Sequence, residues 1–243
     1  MFEPVKIAPS ILSADFMNMG DDIGMIERGG AGYVHVDVMD GHFVPNLTLG
    51  VPFVKQLKKI AAIPLDVHLM ISNPLVQVPW FLDAGADIVT VHLEALDGAA
   101  GEVDQVLEMI HTAGAKAALS IKPDTPTAAL APYIGSLDMV LVMSVYPGFS
   151  GQSYIEGSDR RVAEVAALAS KAGVSPLIEV DGGMGIKTAG LVAACGADVL
   201  VAGNAVFAAS DPKAAIADIT RVAGEAQQAA KASRADGGSG NRG

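Results

Sequence analysis

The sequence contains very little cysteine and no long apolar run. Cys195 is the only cysteine among 243 residues, which excludes an internal disulfide framework and predicts an ordinary small buried side chain. Apolar runs such as residues 139–145 are far shorter than the ~20 residues that a membrane-spanning helix needs. The first ten residues lack the basic start and apolar stretch of a secretory signal. We therefore expect a soluble cytoplasmic protein that has no membrane partner.

Basic residues are also scarce. The chain has 16 Lys and Arg against 27 Asp and Glu, a net charge of −11, and no basic stripe offsets this balance. Nucleic acid is therefore excluded as a partner. An acidic protein can still bind phosphate where backbone N–H groups point at it. Apolar residues make up 51% of the chain, enough to bury one large core.

A repeated pattern predicts the fold. Gly-Ala pairs followed by β-branched residues begin at Gly30, Gly85 and Gly196, with a weaker one at Gly114. Their separations are close to two, one and three multiples of about 28 residues, the length of one βα unit. Roughly eight such units fill the chain up to about residue 225.

Eight alternating units favour a single (β/α)8 TIM barrel over residues 1–225. The alternative, a doubly wound sheet, requires a glycine-rich fingerprint after the first strand, and residues 8–16 lack one. The small, polar tail, residues 226–243, is predicted to be disordered. The predicted strands are residues 5–12, 33–39, 65–70, 88–94, 116–122, 139–145, 177–181 and 199–203.

Polar residues alternate with apolar ones in three predicted strands. Valines occupy one face of the second strand, so His35, Asp37 and Met39 share the other face and point toward the barrel axis. The third strand presents Asp66, His68 and Met70 in the same way, and the seventh presents Glu179 and Asp181. These residues approach the C-terminal ends of the strands, where barrel enzymes have their active sites.

Four of these side chains could converge as metal ligands. His35, His68, Asp37 and Asp181 offer two nitrogens and two oxygens, which suits Zn²⁺ and also Fe²⁺, Mn²⁺ or Co²⁺. A single inward histidine is more often a satisfied core residue, but three strands with the same pattern favour a site. His92 could line a pocket or simply pack, and His42 and His111 have no assigned role.

Methionines and glycines complete the predicted site. Met39, Met70 and Met143 are either core residues or a water-poor lining of a reacting centre. Glycine-rich loops follow strands six, seven and eight, and successive N–H groups in such loops can bind a phosphate. A short helix at residues 204–207 is expected there as well. The alternative is that these glycines only make turns.

The motifs APSILSADF, VHVDVMDGHFVPNLTLG, DVHLM, MSVYPGFSGQSYI, EVDGGM and VAGNAVF resemble those of the ribulose-phosphate 3-epimerase family, from about residue 7 to residue 207. The resemblance implies interconversion of D-ribulose 5-phosphate and D-xylulose 5-phosphate. It implies one divalent metal ion per subunit on His35, Asp37, His68 and Asp181, with Asp37 and Asp181 as the two acid/base groups. It also implies a homo-oligomer, a dimer or hexamer. The substrate-binding residues that it implies, together with the glycine loops, are Ser10, Met39, His68, Met70, Met143, Gly148, Phe149, Ser150, Gly151, Gln152, Gly182, Gly183, Gly203 and Asn204.

Two departures and three alternatives remain. Tyr146 and Ser150 stand where the family often has Asn and Gly, which puts the substrate preference in doubt and predicts that Tyr146 adds bulk beside the pocket. The protein could act instead on D-allulose 6-phosphate. A lyase or decarboxylase would require a lysine near the acids, and Lys122 is the only candidate. A non-catalytic sensor would have lost one of the two aspartates, yet both are present.

Overall fold

The computed structural model describes residues 4–96 and 101–238. Eight strands alternate with helices along the chain. The strands are β1 (Lys6–Ala8), β2 (Val34–Met39), β3 (Leu65–Met70), β4 (Ile88–His92), β5 (Lys116–Ile121), β6 (Met139–Met143), β7 (Leu177–Asp181) and β8 (Val199–Val201). The helices are α1 (Met19–Arg28), α2 (Val51–Ile60), α3 (Pro74–Asp83), α4 (Glu102–Thr112), α5 (Ser158–Ala172), α6 (Ile186–Cys195), α7 (Asn204–Phe207) and α8 (Pro212–Gly238).

The strands form one parallel sheet that closes into a barrel. Their order is β1-β8-β7-β6-β5-β4-β3-β2, and every ladder is parallel. Between β1 and β2, Gly32 N donates to Ile7 O at 2.8 Å and a parallel bridge joins Ser10 to His35. The predicted (β/α)8 barrel is therefore confirmed, and each of the eight strands overlaps its predicted position, although some of them are shorter.

The repeat has a physical cause at the helix ends. Gly30, Gly85, Gly114 and Gly196 all have positive φ, between 80° and 119°. This left-handed conformation ends a helix without the steric penalty that a Cβ would bring. The alanine that follows leads the chain back toward the barrel wall, which explains the period in the sequence.

Alternation along the strands separates two cores. Val34, Val36 and Val38 belong to the large core between the strands and the outer helices. The side chains on the other face of each strand fill the barrel interior. Its lower layer is apolar and includes Tyr33 and Met139. Polar residues therefore lie above this layer, toward the C-terminal ends of the strands.

Several predicted boundaries differ from the structure. The strand expected at residues 88–94 ends at His92, and a 3-10 turn (Leu93–Ala95) follows it. Helix α8 continues past residue 225 to Gly238, and Gln227 on it is buried, so the predicted disorder from residue 226 is wrong for this helical part. An alanine-rich stretch with strong helix propensity explains the continuation. Residues 239–243 lie outside the described residues.

Cys195, expected to be buried, is partly exposed.

Among the residues that the structure describes, no helix has the length and apolar character to cross a membrane.

Candidate active site

Four side chains converge at the C-terminal ends of β2, β3 and β7. One ligand atom from each of His35, Asp37, His68 and Asp181 lies within 4.8 Å of the other three. Asp37 Oδ1 is 3.2 Å from His68 Nδ1 and 3.4 Å from His35 Nε2. Register explains this convergence, because β2 and β3 pair Asp37 with His68.

His35 is oriented from below by Asp66. Its Nδ1 lies 2.6 Å from Asp66 Oδ2, and both side chains are completely buried. Burial alone would lower the pKa of His35, but the carboxylates of Asp66 and Asp37 raise it well above its ordinary value. The other ring nitrogen, Nε2, is buried and has no hydrogen-bond partner.

His68 is held by a different arrangement. Its Nε2 lies 2.9 Å from Nε2 of His92, whose Nδ1 lies 3.2 Å from Oε2 of Glu94. His92 is completely buried, and this burial lowers its pKa to about 4. The ring of Phe43 packs against His92 with centroids 4.8 Å apart. His92, expected either to line a pocket or to pack, therefore contacts a residue of the cluster.

The two aspartates differ in their protonation. Burial alone would raise the pKa of Asp37, but His35 and His68 lower it far below its ordinary value. Ser10 Oγ also donates a hydrogen bond of 2.6 Å to Asp37 Oδ2. Burial and the charge of Asp37 raise the pKa of Asp181 to about 6. Two neighbouring carboxyl groups with separated pKa values can serve as a base and an acid at neutral pH.

The cluster fits a divalent metal ion. His35 Nε2 faces the carboxylate oxygens with no other partner, while its Nδ1 is engaged by Asp66. Ligating histidines characteristically donate their other N–H to a carboxylate in this way. A second cluster of His35, Asp66 and Glu179 lies deeper in the barrel. Because Asp66 already engages His35 Nδ1, the upper cluster fits a metal ion better than the deeper one.

A cavity of about 230 Å³ opens above the cluster. Asp37 and Asp181 line it, and so does every predicted substrate-binding residue except His68, which lies below with His35. The lining includes Ser10, Met39, Met70, Met143, Gly148, Phe149, Ser150, Gly151, Gln152, Gly182, Gly183, Gly203 and Asn204.

Glycines shape one side of this cavity. Gly182 and Gly183 have φ of 123° and 63°, and a Cβ on Gly183 would lie 2.4 Å from Tyr154 N. The loop after β6 is closed by Gln152, whose Nε2 donates to Tyr146 O and Phe149 O. Helix α7 spans the residues predicted for the short helix. The three glycine loops therefore lie together at one rim.

The structure adds residues that sequence reasoning missed. Ser13 lines the cavity, and its buried Oγ has no hydrogen-bond partner. Asn46 donates to Gly148 O at 3.0 Å and ties the loop after β2 to the loop after β6. Glu94 contacts His92 as well, and the only feature of the sequence that could have indicated this contact is its position two residues after that histidine.

Other candidates lie away from the cavity. Tyr146 is half exposed and is not part of the cavity wall, although its neighbours Val145 and Pro147 are, whereas Ser150 lines the cavity. Lys122 Nζ lies 3.9 Å from the centroid of the Phe43 ring, and Lys122 is absent from the cavity wall. His42 bonds to Asp40, and His111 is 2.9 Å from Asp138.

Fold and site together define a (β/α)8-barrel enzyme that holds two acidic groups beside a histidine–carboxylate cluster at the strand ends. The chain belongs to the ribulose-phosphate 3-epimerase family, whose sequence model matches residues 6–207. It is 45% identical over 216 residues to the ribulose-phosphate 3-epimerase of Bacillus subtilis, covering 88% of this chain and 98% of that protein. It is 47% identical over 223 residues to the enzyme of the same name from Mycobacterium bovis, with 90% and 93% covered.

Solved structures extend the similarity of fold. The 3-hexulose-6-phosphate synthase of Salmonella typhimurium superposes with a TM-score of 0.61 at 18% identity, covering 90% of this chain and 98% of that one. At this identity the likeness concerns the fold alone.

Proposed function

We propose that this protein interconverts D-ribulose 5-phosphate and D-xylulose 5-phosphate by moving a proton at C3. Asp37 and Asp181 support the proposal most directly, because both line one cavity beside the His35–His68 cluster. Inverting a carbon next to a ketone requires removal of a proton from one face and its return to the other. Two carboxyl groups meet this requirement.

Asp37 and Asp181 divide the work according to their surroundings. Asp37, kept ionised by His35 and His68, takes the C3 proton from one face of the ketose. Asp181, whose pKa of about 6 lets it hold a proton, returns one to the opposite face. The roles are exchanged in the reverse direction. Ser10 holds Asp37 in place through its 2.6 Å hydrogen bond.

His35, His68, Asp37 and Asp181 would hold one divalent ion, either Zn²⁺, Fe²⁺, Mn²⁺ or Co²⁺. When bound, it supplies positive charge that stabilises the enediolate formed after the first proton transfer. Met39, Met70 and Met143 are almost completely buried at the base of the cavity, where they exclude water from the reacting carbon.

The glycine loops after β6, β7 and β8 are proposed to bind the phosphate through backbone N–H groups. Gly182, Gly183 and Gly203 allow the close approach of backbone that such a site needs, since a Cβ on each would lie 2.4 to 2.6 Å from a neighbouring atom. No cationic side chain lines this rim among the described residues. Binding through the backbone is consistent with the acidic charge of the whole chain.

The position of Lys122 disfavours a lyase or decarboxylase. Its ammonium group lies against Phe43 and not in the cavity, so within residues 4–96 and 101–238 no lysine lines the cavity with the two acids. The test is turnover of ribulose 5-phosphate beside allulose 6-phosphate by the metal-loaded enzyme. Faster conversion of the pentulose phosphate is expected, and faster conversion of the hexulose phosphate would overturn the substrate assignment.

We propose as well that the protein acts in the cytoplasm as a dimer or hexamer, as the resemblance to its family implies. Light scattering after gel filtration measures the mass of the assembly, and a monomeric mass would contradict this proposal.

A further inference from the structure

His92 and Glu94 lie outside the cavity wall yet are connected to the metal cluster. His68 and His92 are completely buried, and the Glu94 side chain is 21% exposed. The contacts run from Glu94 Oε2 to His92 Nδ1 at 3.2 Å, then from His92 Nε2 to His68 Nε2 at 2.9 Å. They end at His68 Nδ1, 3.2 Å from Asp37 Oδ1.

Two facing ring nitrogens form a hydrogen bond only if one carries a proton and the other does not. An ionised carboxylate only accepts hydrogen bonds, so Glu94 requires the proton of neutral His92 to be on Nδ1. Nε2 of His92 then accepts from Nε2–H of His68. The remaining nitrogen of His68, Nδ1, faces Asp37 and Asp181 and is the one whose lone pair a metal ion would take.

We propose that Glu94 and His92 are positioning residues that fix the tautomer of His68, so that its Nδ1 is ready to bind the metal ion. This inference rests on the metal site of the proposed function. It assigns a role to a carboxylate that touches neither the cluster nor the cavity. For His35, Asp66 fixes the tautomer by direct contact with the ring. For His68, Glu94 acts through the intervening imidazole of His92.

The surroundings of Glu94 keep its carboxylate in one orientation. Its Oε1 accepts a hydrogen bond of 2.7 Å from Lys122 N and another from Thr125 Oγ1. Arg161 in turn donates to the carbonyl oxygens of Lys122 and Thr125 at 2.8 Å. Only Oε2 remains to accept from His92.

This orientation makes Glu94→Gln a sharp test. The Lys122 N–H and the Thr125 hydroxyl require an acceptor, so the Gln oxygen takes the place of Oε1. The Gln amide then presents N–H to His92 Nδ1, which must accept. The proton of each histidine ring therefore moves to its other nitrogen. His68 would carry its proton on Nδ1, where the metal ion must bind. We expect Zn²⁺ to bind about 10- to 100-fold more weakly, the usual effect of losing such a partner.

The first measurement is the Zn²⁺ dissociation constant of full-length protein, by competition with a chromophoric chelator and without substrate. Glu108→Gln is the matched control, because Glu108 is exposed on α4 and its change removes the same charge. This control should bind Zn²⁺ as the wild type does. Unchanged affinity in a folded Glu94→Gln variant would overturn the proposal.

A double-mutant cycle separates the tautomer from the loss of charge. In a His92→Leu background the chain of contacts is already broken, so Glu94→Gln should not weaken Zn²⁺ binding further. An equal loss in both backgrounds would mean that Glu94 acts only through its charge, and the proposal would fail.

The wild type offers a measurement that does not depend on any variant folding. Histidine ring ¹H–¹⁵N correlation spectra of the metal-free and Zn²⁺-loaded protein report which nitrogens carry protons. A proton on His68 Nε2 and on His92 Nδ1 is expected, and the opposite pattern would overturn the proposal. If the wild type shows this pattern but does not convert ribulose 5-phosphate, the proposed substrate is wrong while the positioning role stands.

Discussion

His35 Nδ1 lies 2.6 Å from Asp66 Oδ2 in a completely buried pair. This contact raises the pKa of His35 against the opposing effect of burial. It also directs Nε2 toward Asp37, where that nitrogen has no hydrogen-bond partner. The pair therefore explains both how the histidine is oriented and why the metal-free protein should hold a proton at this site.

Metal affinity should rise with pH. The raised pKa of His35 means that its imidazole is protonated at neutral pH in the metal-free protein, and Asp181 gains a proton below about pH 6. A ligating imidazole must lose this proton, so metal binding releases it. We expect the affinity to increase by up to about tenfold per pH unit for one proton released.

Titration calorimetry in buffers of different ionisation enthalpy counts these protons. The Asp66→Asn variant removes the carboxylate that raises the pKa of His35, so it should release fewer protons near pH 7. Affinity that stays constant from pH 6 to pH 8 in the wild type would contradict this explanation.

Glu179→Gln should stabilise the metal-free protein at high pH. Burial and the nearby Asp66 raise the pKa of Glu179 well above its ordinary value, and the side chain is completely buried. In the unfolded chain this group loses its proton above about pH 4.3. The stability that it contributes is therefore fully present below that pH and is lost as the pH rises through the folded-state pKa.

A neutral Gln removes this dependence. Urea unfolding between pH 5 and pH 8 should show that Glu179→Gln has a higher free energy of unfolding than the wild type, and that this difference grows with pH. Glu108→Gln should show no such trend. A Glu179→Gln protein that is less stable than the wild type at pH 8 would refute the assignment of a protonated Glu179.

Gly183→Ala should distort the loop after β7, which is proposed to bind the phosphate, whereas Gly185→Ala should not. Gly183 has φ of 63°, and a Cβ there would lie 2.4 Å from the backbone nitrogen of Tyr154. A left-handed non-glycine residue alone costs about 1–3 kcal/mol. Gly185 is extended, and its Cβ would lie 3.4 Å from the nearest atom, Ala205 Cβ.

We expect Gly183→Ala to lower the melting temperature and to raise KM for ribulose 5-phosphate more than it changes kcat. The control should keep both values. Equal effects of the two substitutions would show that this turn does not depend on the backbone conformation at Gly183.

The sequence predicted the barrel well because each unit carries its own local signals. Gly-Ala turns end helices, and valine alternation in β2 turns His35 and Asp37 inward. These features depend on neighbouring residues only, so all eight strands and α7 could be placed from them. The small, polar composition of the tail hides the end of α8, because the alanine-rich stretch within it is helical.

Contacts between distant strands could not be predicted in the same way. The bond between His68 and His92 depends on the register of β3 and β4, which pairs His68 with Thr90. The orientation of the Glu94 carboxylate likewise depends on Lys122 N, on the chain after β5, which donates a hydrogen bond to its other oxygen. The exposure of the Tyr146 side chain could not be predicted either, because Gln152 holds the loop after β6 through a contact that spacing does not reveal.

Asp37→Asn and Asp181→Asn should each reduce epimerisation, since a positioned acid or base contributes about 10²–10⁴-fold in rate. One of the two variants is expected to keep proton exchange on a single face of the substrate. Because both residues are also proposed metal ligands, bound metal is measured in each variant by mass spectrometry. Full activity in either variant would contradict the two-base scheme.

The most direct test of the account is solvent deuterium incorporation at C3. Metal-loaded enzyme is incubated with ribulose 5-phosphate in D₂O, and the C3 proton is followed by NMR. Epimerisation by two bases predicts that xylulose 5-phosphate forms with deuterium at C3 and that the recovered ribulose 5-phosphate also becomes labelled. Xylulose 5-phosphate that keeps its original hydrogen, or an absence of exchange in the metal-loaded enzyme, would contradict it.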